Sequence, residues 1–350
     1  MFKDLRMRTR TFTGIAIYII LGLVIFSTKI FAKPSEIFDY KLPEYTYEAY
    51  EQAISVLMER FERTNPKFSG LIALRISTYC GPGLCTPKNL VLALSKYLER
   101  YGIKKSDILI VGDSENTLRE CGYLPPLSQR EHNGNVFEGM QVFWINDPQF
   151  HDKNWVYTNP ITADRLVRRE NRWKLDALPT HTNDPQSSYL PTLLMFGVDW
   201  WINLPIYVGS FAHGVIGSLM QGSILNITNN RRFLDNPANC AAAAAQISAI
   251  KELRTKHLFS IATFERFQFT DSLVYNENYT RSFPHVLLST DQVALDTFSL
   301  KILNDVKALY NFKFLEGKPT IFQYAEQLGL GSTKFTLIKT NVRAKKERQR

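Results

Sequence analysis

Residues 200–222 read WWINLPIYVGSFAHGVIGSLMQG. An apolar run ends at Pro205, then come Gly209, Ser210, His213, Gly214 and Gly217, and then a stretch of helical character. In α/β proteins a strand that opens into a glycine loop and a helix is a common anion site, because the first N–H groups of a helix have no partner within it. Gly214 to Gly217 offer such groups without side-chain bulk. The plainer reading is that these glycines only let a helix pack closely on a sheet. His213 beside Ser210, with Asp291 as an orienting carboxylate, has the composition of a nucleophile and its base. No Gly-X-Ser-X-Gly elbow accompanies them, and a loop histidine satisfied by its neighbours is the plainer reading.

The second group is acidic. Asp291 and Asp296 straddle the start of an expected helix. Asp291 suits the capping position. Asp296, one turn later, can face the same cleft, and the pair with Asp113 could hold a hard divalent cation through oxygen ligands. Capping alone also explains Asp291. The remaining histidines, at 132, 151, 181, 257 and 285, show no metal-ligand spacing. The four cysteines give no zinc or iron–sulfur signature. Cys80 and Cys85 could form a local disulfide across Gly81-Pro82-Gly83, and four separate thiols is the equal alternative.

Positioning these residues requires a sheet. The spacing predicts an amphipathic helix over 46–63, a strand over 69–77, a helix from Thr86-Pro87 to Arg100 stopped by Gly102, and a buried strand at 107–111 ending in Gly112-Asp113-Ser114. Helices alternating with strands imply an α/β fold: a mainly parallel sheet with helices on both faces. Residues 122–199 are rich in proline and read as an irregular insertion, with a strand at 140–145 and a short helix at 162–170. Further on, strands are expected at 198–208, 258–263, 286–288 and 335–340. Helices are expected at 214–225, 236–256, from Asp291 to about Leu303, and at 320–328. The body, 33–338, reads as one domain.

The net charge is +9, but it sits at the ends. Residues 1–10 carry +3 and residues 339–350 carry +5, leaving about +1 for the body. A nearly neutral body has no stripe to track phosphates, so nucleic acid is not an expected partner. The terminal basic run reads as a solvated tail. Residues 11–28 hold no charge and follow a basic segment. Residues 1–32 therefore read as either a signal peptide or a membrane anchor, with the body exported. Asn226-Ile-Thr228 and Asn278-Tyr-Thr280 fit the glycosylation sequon.

An ordered set of motifs resembles the uncharacterised bacterial and archaeal proteins of domain-of-unknown-function family number 362. It comprises Val111-Gly112-Asp113-Ser114, Asn203-Leu204-Pro205, the segment from Ser289 to Asp296, and Ala325-Glu326-Gln327-Leu328-Gly329-Leu330-Gly331. The resemblance covers about 69–340 with 122–199 free. It implies the same α/β fold with the glycine segment at its site. The chain departs from the family pattern where lysines are typical: the stretch after Pro205 has none, and Met220 and Gln221 stand where lysine and asparagine are usual. Two functions are then expected. One is a binding or accessory protein whose charged site is degenerate, taking a protein partner or a small anionic ligand. The other is a metal- or anion-dependent enzyme with an altered site, which requires Asp113, Asp291, Asp296 and His213 to line one pocket.

Overall fold

A computed structural model describes residues 34–129, 134–158, 187–234, 237–270, 273–315, 317 and 319–340. Along the chain the strands are β1 (Ser35–Lys41), β2 (Ile72–Ile76), β3 (Ile108–Gly112), β4 (Val136–Phe137), β5 (Met140–Trp144), β6 (Val156–Thr158), β7 (Ser187–Tyr189), β8 (Trp200–Leu204), β9 (Val208–Ser210), β10 (Gly214–Ile216), β11 (His257–Thr263), β12 (Phe267–Gln268), β13 (Thr280–Arg281), β14 (His285–Ser289) and β15 (Phe335–Lys339). The α-helices are α1 (Tyr47–Thr64), α2 (Lys88–Tyr101), α3 (Glu115–Glu120), α4 (Ser218–Gly222), α5 (Arg231–Leu234), α6 (Pro237–Ser248), α7 (Lys251–Arg254), α8 (Gln292–Leu309) and α9 (Thr320–Gln327).

Nine strands form the main sheet in the order β15-β1-β14-β11-β8-β2-β3-β5-β4. Only β14 and β4 run against the others, so the α/β, mainly parallel expectation holds. Strand alternation divides the buried apolar residues into two clusters. Ile72, Leu74 and Ile76 pack with Leu57 and Met58 of α1 and with Leu90 and Leu94 of α2. Ala73, on the opposite side of β2, belongs with Leu219, Ala244, Leu295 and Phe322 of α4, α6, α8 and α9. Burying one such leucine or isoleucine contributes about 1.5–3 kcal/mol. The alanine run of α6 keeps that helix thin, and Ala241, Ala243, Ala244 and Ala245 are all buried.

Several boundaries shift for identifiable reasons. Thr86 does not cap α2. Its hydroxyl donates to the Leu204 carbonyl and accepts from the Ser77 N–H, tying β2 to β8, so Pro87 takes the cap position without a side-chain bond. The helix expected over 236–256 breaks after Ser248, because Ile250 adopts ψ 120°. Residues 136–144 join the main sheet as β4 and β5, although they fall inside the stretch expected to be an insertion. The short helix expected at 162–170 lies outside the described residues. β1 was not read from the sequence at all, yet it pairs antiparallel with β14 and parallel with β15.

The expected signal peptide or membrane anchor, and with it an exported or anchored body, is corrected. Among the described residues no helix is long and apolar enough to cross a membrane, and residues 1–33 lie outside them. The basic run from 341 also lies outside. The sequon at Asn226 is closed to modification in the folded chain, since Asn226 is buried and its side-chain oxygen accepts from Arg75.

All four cysteines are free thiols. Cys85 hydrogen-bonds to Cys121, not to Cys80. That bond, with Lys88 and Arg266 nearby, lowers the Cys85 thiol, whereas burial pushes Cys80 and Cys240 up to about 12. Cys85 is also the one of the four that is not fully buried. Iodoacetamide at pH 7.5 should therefore label Cys85 first, read by peptide mass spectrometry. Labelling of Cys80 or Cys240 at an equal rate would contradict this placement.

Candidate functional site

The segment read as a glycine loop is a β-hairpin. Val208 pairs with Ile216, Gly209 with Val215 and Ser210 with Gly214. Gly214 closes the turn at φ 76°, a conformation that suits glycine. The helix expected from 214 begins only at Ser218 and stops at Gly222. Three strand residues on each side were hidden by the glycine count.

The start of α4 is nevertheless occupied, and by the chain itself. The Asp296 carboxylate, projecting from α8, accepts from the Ser218 N–H at 2.7 Å, the Leu219 N–H at 2.9 Å and the Tyr207 hydroxyl at 3.0 Å. The two N–H groups are the donors that a bound anion would need. Gly217 makes this approach feasible, because a Cβ there would overlap the Tyr207 ring and crowd Asp296. Burial pushes the Asp296 carboxyl up to about 7, against the downward pull of the Leu219 and Ser218 N–H groups and Tyr207. Burial and the Asp296 charge raise the Tyr207 hydroxyl, which therefore stays protonated and donates.

The other expected site residues have separate tasks. Asp291 caps α8, accepting from the Ala294 N–H at 2.9 Å. Its second oxygen accepts from the Ser332 N–H at 2.8 Å and from the Ser35 hydroxyl, which joins β1 to the chain entering β15. His213 Nε2–H donates to the Leu234 carbonyl at 3.1 Å, and the His213 backbone N–H donates to Ser210 Oγ at 3.2 Å. Ser210 and His213 thus meet through the backbone, not through the imidazole. Asp113 accepts from Arg75 Nη2 at 2.5 Å on one oxygen, and from the Thr78 N–H at 2.6 Å and hydroxyl at 3.0 Å on the other. The three aspartates and His213 do not converge. Among the described residues no group of three or more His, Cys, Asp or Glu is placed to hold a metal.

A different set of residues does converge. Arg75 pairs in register with Asn203, Asn203 with Ser260 and Ser260 with Ser289, so four buried polar side chains cross the middle of the sheet in one row. Arg75 is fully buried. It donates to Asp113, to Asn226 Oδ1 at 2.5 Å and to the Leu225 carbonyl at 2.9 Å. Asn203 donates to Ser218 Oγ at 3.0 Å, and Ser218 Oγ donates to Ser260 Oγ at 2.8 Å. The Ser260 hydroxyl lies 3.1 Å from His257 Nε2, which Gln292 also approaches at 3.4 Å. Burial lowers His257 to about 4, so it is neutral near pH 7 and its Nε2 can accept. Sequence reasoning missed Arg75, Ser260 and His257. The available signal was a polar residue within or at the end of each mainly apolar run: Arg75 in IALRI, Asn203 in WWINL, Ser260 in HLFSIAT and Ser289 in HVLLS.

Ligands of open α/β sheets bind beyond the carboxyl ends of the strands, where the strand order reverses. Here the order runs β2-β3-β5 one way and β8-β11 the other, so that point lies between β2 and β8. The space there is only about 10 Å³ and is walled by Ile206, Val208, Ile216 and Leu225. The roomier cleft lies beside it, off the ends of β3 and β5. It measures about 530 Å³, and Asp113, Ser114, Thr117, Asn146, Asn230 and Arg231 line it.

No family model matches the chain, and no curated protein matches it. Among solved structures it is similar to a structural-genomics crystal structure of a Thermotoga maritima protein, at 14% identity and a TM-score of 0.39. The match covers 74% of this chain and 59% of that one, so the chain spans less than two thirds of that protein.

Two measurements test the site's energetics. Asp113→Asn leaves the buried Arg75 charge unbalanced and should cost about 3–5 kcal/mol in urea unfolding. Arg75→Met/Asp113→Leu together should cost less than the sum of the single changes. An Asp113→Asn cost below 1 kcal/mol would mean the pair is not buried as described. The folded chain holds the Asp296 proton more tightly than the unfolded chain, whose aspartate titrates near 3.8. The stability from this group is therefore full below that pH and lost as pH rises to about 7, a change on the order of 4 kcal/mol. The stability advantage of wild type over Asp296→Asn should shrink between pH 4 and 7. A constant difference across that range would show that the carboxyl is not raised.

Proposed function

We propose that the chain is a binding or accessory protein, a divergent relative of domain-of-unknown-function family number 362. In this reading its glycine-segment anion site has been closed by its own carboxylate, and a small polar or anionic ligand is taken in the neighbouring cleft. The observation that carries it is the Asp296 carboxylate on the Ser218 and Leu219 N–H groups, where an exogenous anion would sit. The departures at 206–210, Met220 and Gln221 agree with it: Met220 is buried and its sulfur accepts from the Cys240 thiol, and the Gln221 amide donates to the Arg75 carbonyl. The cleft off β3 and β5 supplies neutral hydroxyl and amide groups and the exposed Arg231, while Asp113 has its charge balanced by Arg75. The finer architecture belongs to the same proposal: residues after β5 elaborate one end of the sheet as an irregular insertion and help to wall this cleft. The enzyme reading has less behind it, since it asks one pocket to gather side chains that are tied to separate helix ends and loops.

Chemical rescue tests the closed site. Asp296→Ala leaves two buried N–H groups unpaired and should lose about 2–5 kcal/mol. Formate, which can enter the vacated position, should restore part of that loss in the variant and leave wild type unmoved in thermal melts. Equal stabilisation of wild type by formate would show that the donors at α4 are open and would overturn the reading. The cleft is tested by a thermal-shift screen of sugar phosphates, nucleotides and dicarboxylates on the full chain. A hit at a hundredfold excess over its dissociation constant should add about 2.7 kcal/mol. That gain should disappear in Asn230→Ala and Arg231→Ala; a hit untouched by both places the ligand elsewhere.

A further inference from the structure

A second cavity opens at the opposite end of the parallel strands, where β11 begins. It measures about 160 Å³, far more than the roughly 10–15 Å³ one water needs, is partly open to solvent, and suits a molecule of about five to eight non-hydrogen atoms. Its walls come from six places in the chain: the start of β8, helix α4, the α6–α7 region, the start of β11, the start of α8 and the turn after α9. Trp201 and Leu219 supply apolar surface. Ser248, His257 and Gln292 supply polar groups, and Arg254 is the one charged side chain in the lining.

Three observations give this space a chemical preference. Among the described residues the Ser248 hydroxyl oxygen has no hydrogen-bond partner, and the residue is only 9% exposed. A hydroxyl left so is costly unless something in the cavity meets it. Arg254 is exposed, and one Nη2–H donates to the Gly329 carbonyl at 2.7 Å, which anchors the guanidinium and leaves other N–H donors on it. Among the described residues no carboxylate lines the cavity to balance that charge. His257 does not add a second cation, since burial keeps it neutral and its Nε2 is engaged by Ser260. One cation among neutral polar groups, with a smaller apolar wall from Trp201 and Leu219, favours a singly charged anion carrying a short apolar tail. A phosphate dianion would leave a negative charge unbalanced in a partly buried space.

We propose that this cavity binds a short-chain monocarboxylate. The carboxylate pairs with Arg254 and accepts from the Ser248 hydroxyl, and a chain of about three to five carbons lies against Trp201 and Leu219. Gln292 supplies an amide at the polar end. The site is independent of the cleft off β3 and β5, which lies beyond the opposite ends of the parallel strands.

Isothermal titration of the full chain with the series acetate, propionate, butyrate, valerate and hexanoate tests this. Saturable binding that peaks inside the series is expected, with butyramide, the uncharged counterpart of butyrate, at least tenfold weaker. Arg254→Met changes an exposed side chain and should weaken butyrate at least tenfold. Ser248→Ala should weaken it several-fold. Both variants should keep the wild-type circular dichroism spectrum and neither should lower the urea midpoint, which separates loss of binding from loss of fold. Three results would overturn the proposal: no saturable binding by any acid of the series, equal binding by wild type and both folded variants, or butyramide binding as tightly as butyrate. Inorganic phosphate binding more tightly than every monocarboxylate would also overturn it.

Discussion

The Asp296 carboxylate on the first two N–H groups of α4 is the contact on which the rest of this half of the molecule depends. It joins a long helix, α8, to a helix of barely more than one turn that could not hold itself together in water. With α4 fixed, the Ser218 hydroxyl stands over the sheet and passes hydrogen bonds from Asn203 to Ser260. Gln221 is held over β2, and its amide reaches the Arg75 carbonyl. Removing one carboxylate therefore disturbs both the hairpin that precedes α4 and the polar row beneath it.

That polar row is an unusual use of a sheet interior. Parallel strands covered on both sides normally read as continuous apolar runs. Here Arg75, Asn203, Ser260 and Ser289 stand side by side in register and face one cluster, while their neighbours feed the other. A slip of one residue in any of the four strands would carry a polar group into the apolar layer against α1 and α2, and would break several hydrogen bonds at once. The row thereby specifies strand register more tightly than apolar packing alone would. It touches two cavities differently. From Arg75 it reaches one as a balanced ion pair with Asp113, and from Ser260 it reaches the other through the neutral imidazole of His257.

Much of the fold was legible in the sequence. The amphipathic spacing of Tyr50, Ile54, Leu57, Met58 and Phe61 marked α1, and the apolar run after Asp107 marked β3, because periodicity and punctuation are local signals. β1 was hidden because its burial depends on β14 and β15, far along the chain. The hairpin at 208–216 was hidden by glycines that also suit a loop. The site was less legible still. Asp291, Asp296 and Asp113 were singled out as ligands for a cation, but side-chain type does not reveal which donors a carboxylate will meet. Asp296 reads as a ligand in one dimension and is a cap in three, on a helix 78 residues away from it.

The placement of β1 also sets the order in which the sheet can be completed. This strand lies between β14 and β15, and Asp39 pairs with Leu287. During synthesis at about 5–20 residues per second, the roughly 250 intervening residues take on the order of 10–50 s to emerge. Through that interval β1 has no strand to pair with, although α1, which follows it directly, can already form. Both edges of β1 are then open templates for another strand, including the same segment of a second nascent chain. Closure of the sheet waits on a contact of very high sequence separation, the kind that slows folding most. The nascent chain thus carries a long exposure to misassociation at β1, and the mature chain ends that exposure only when β14 and β15 enclose it.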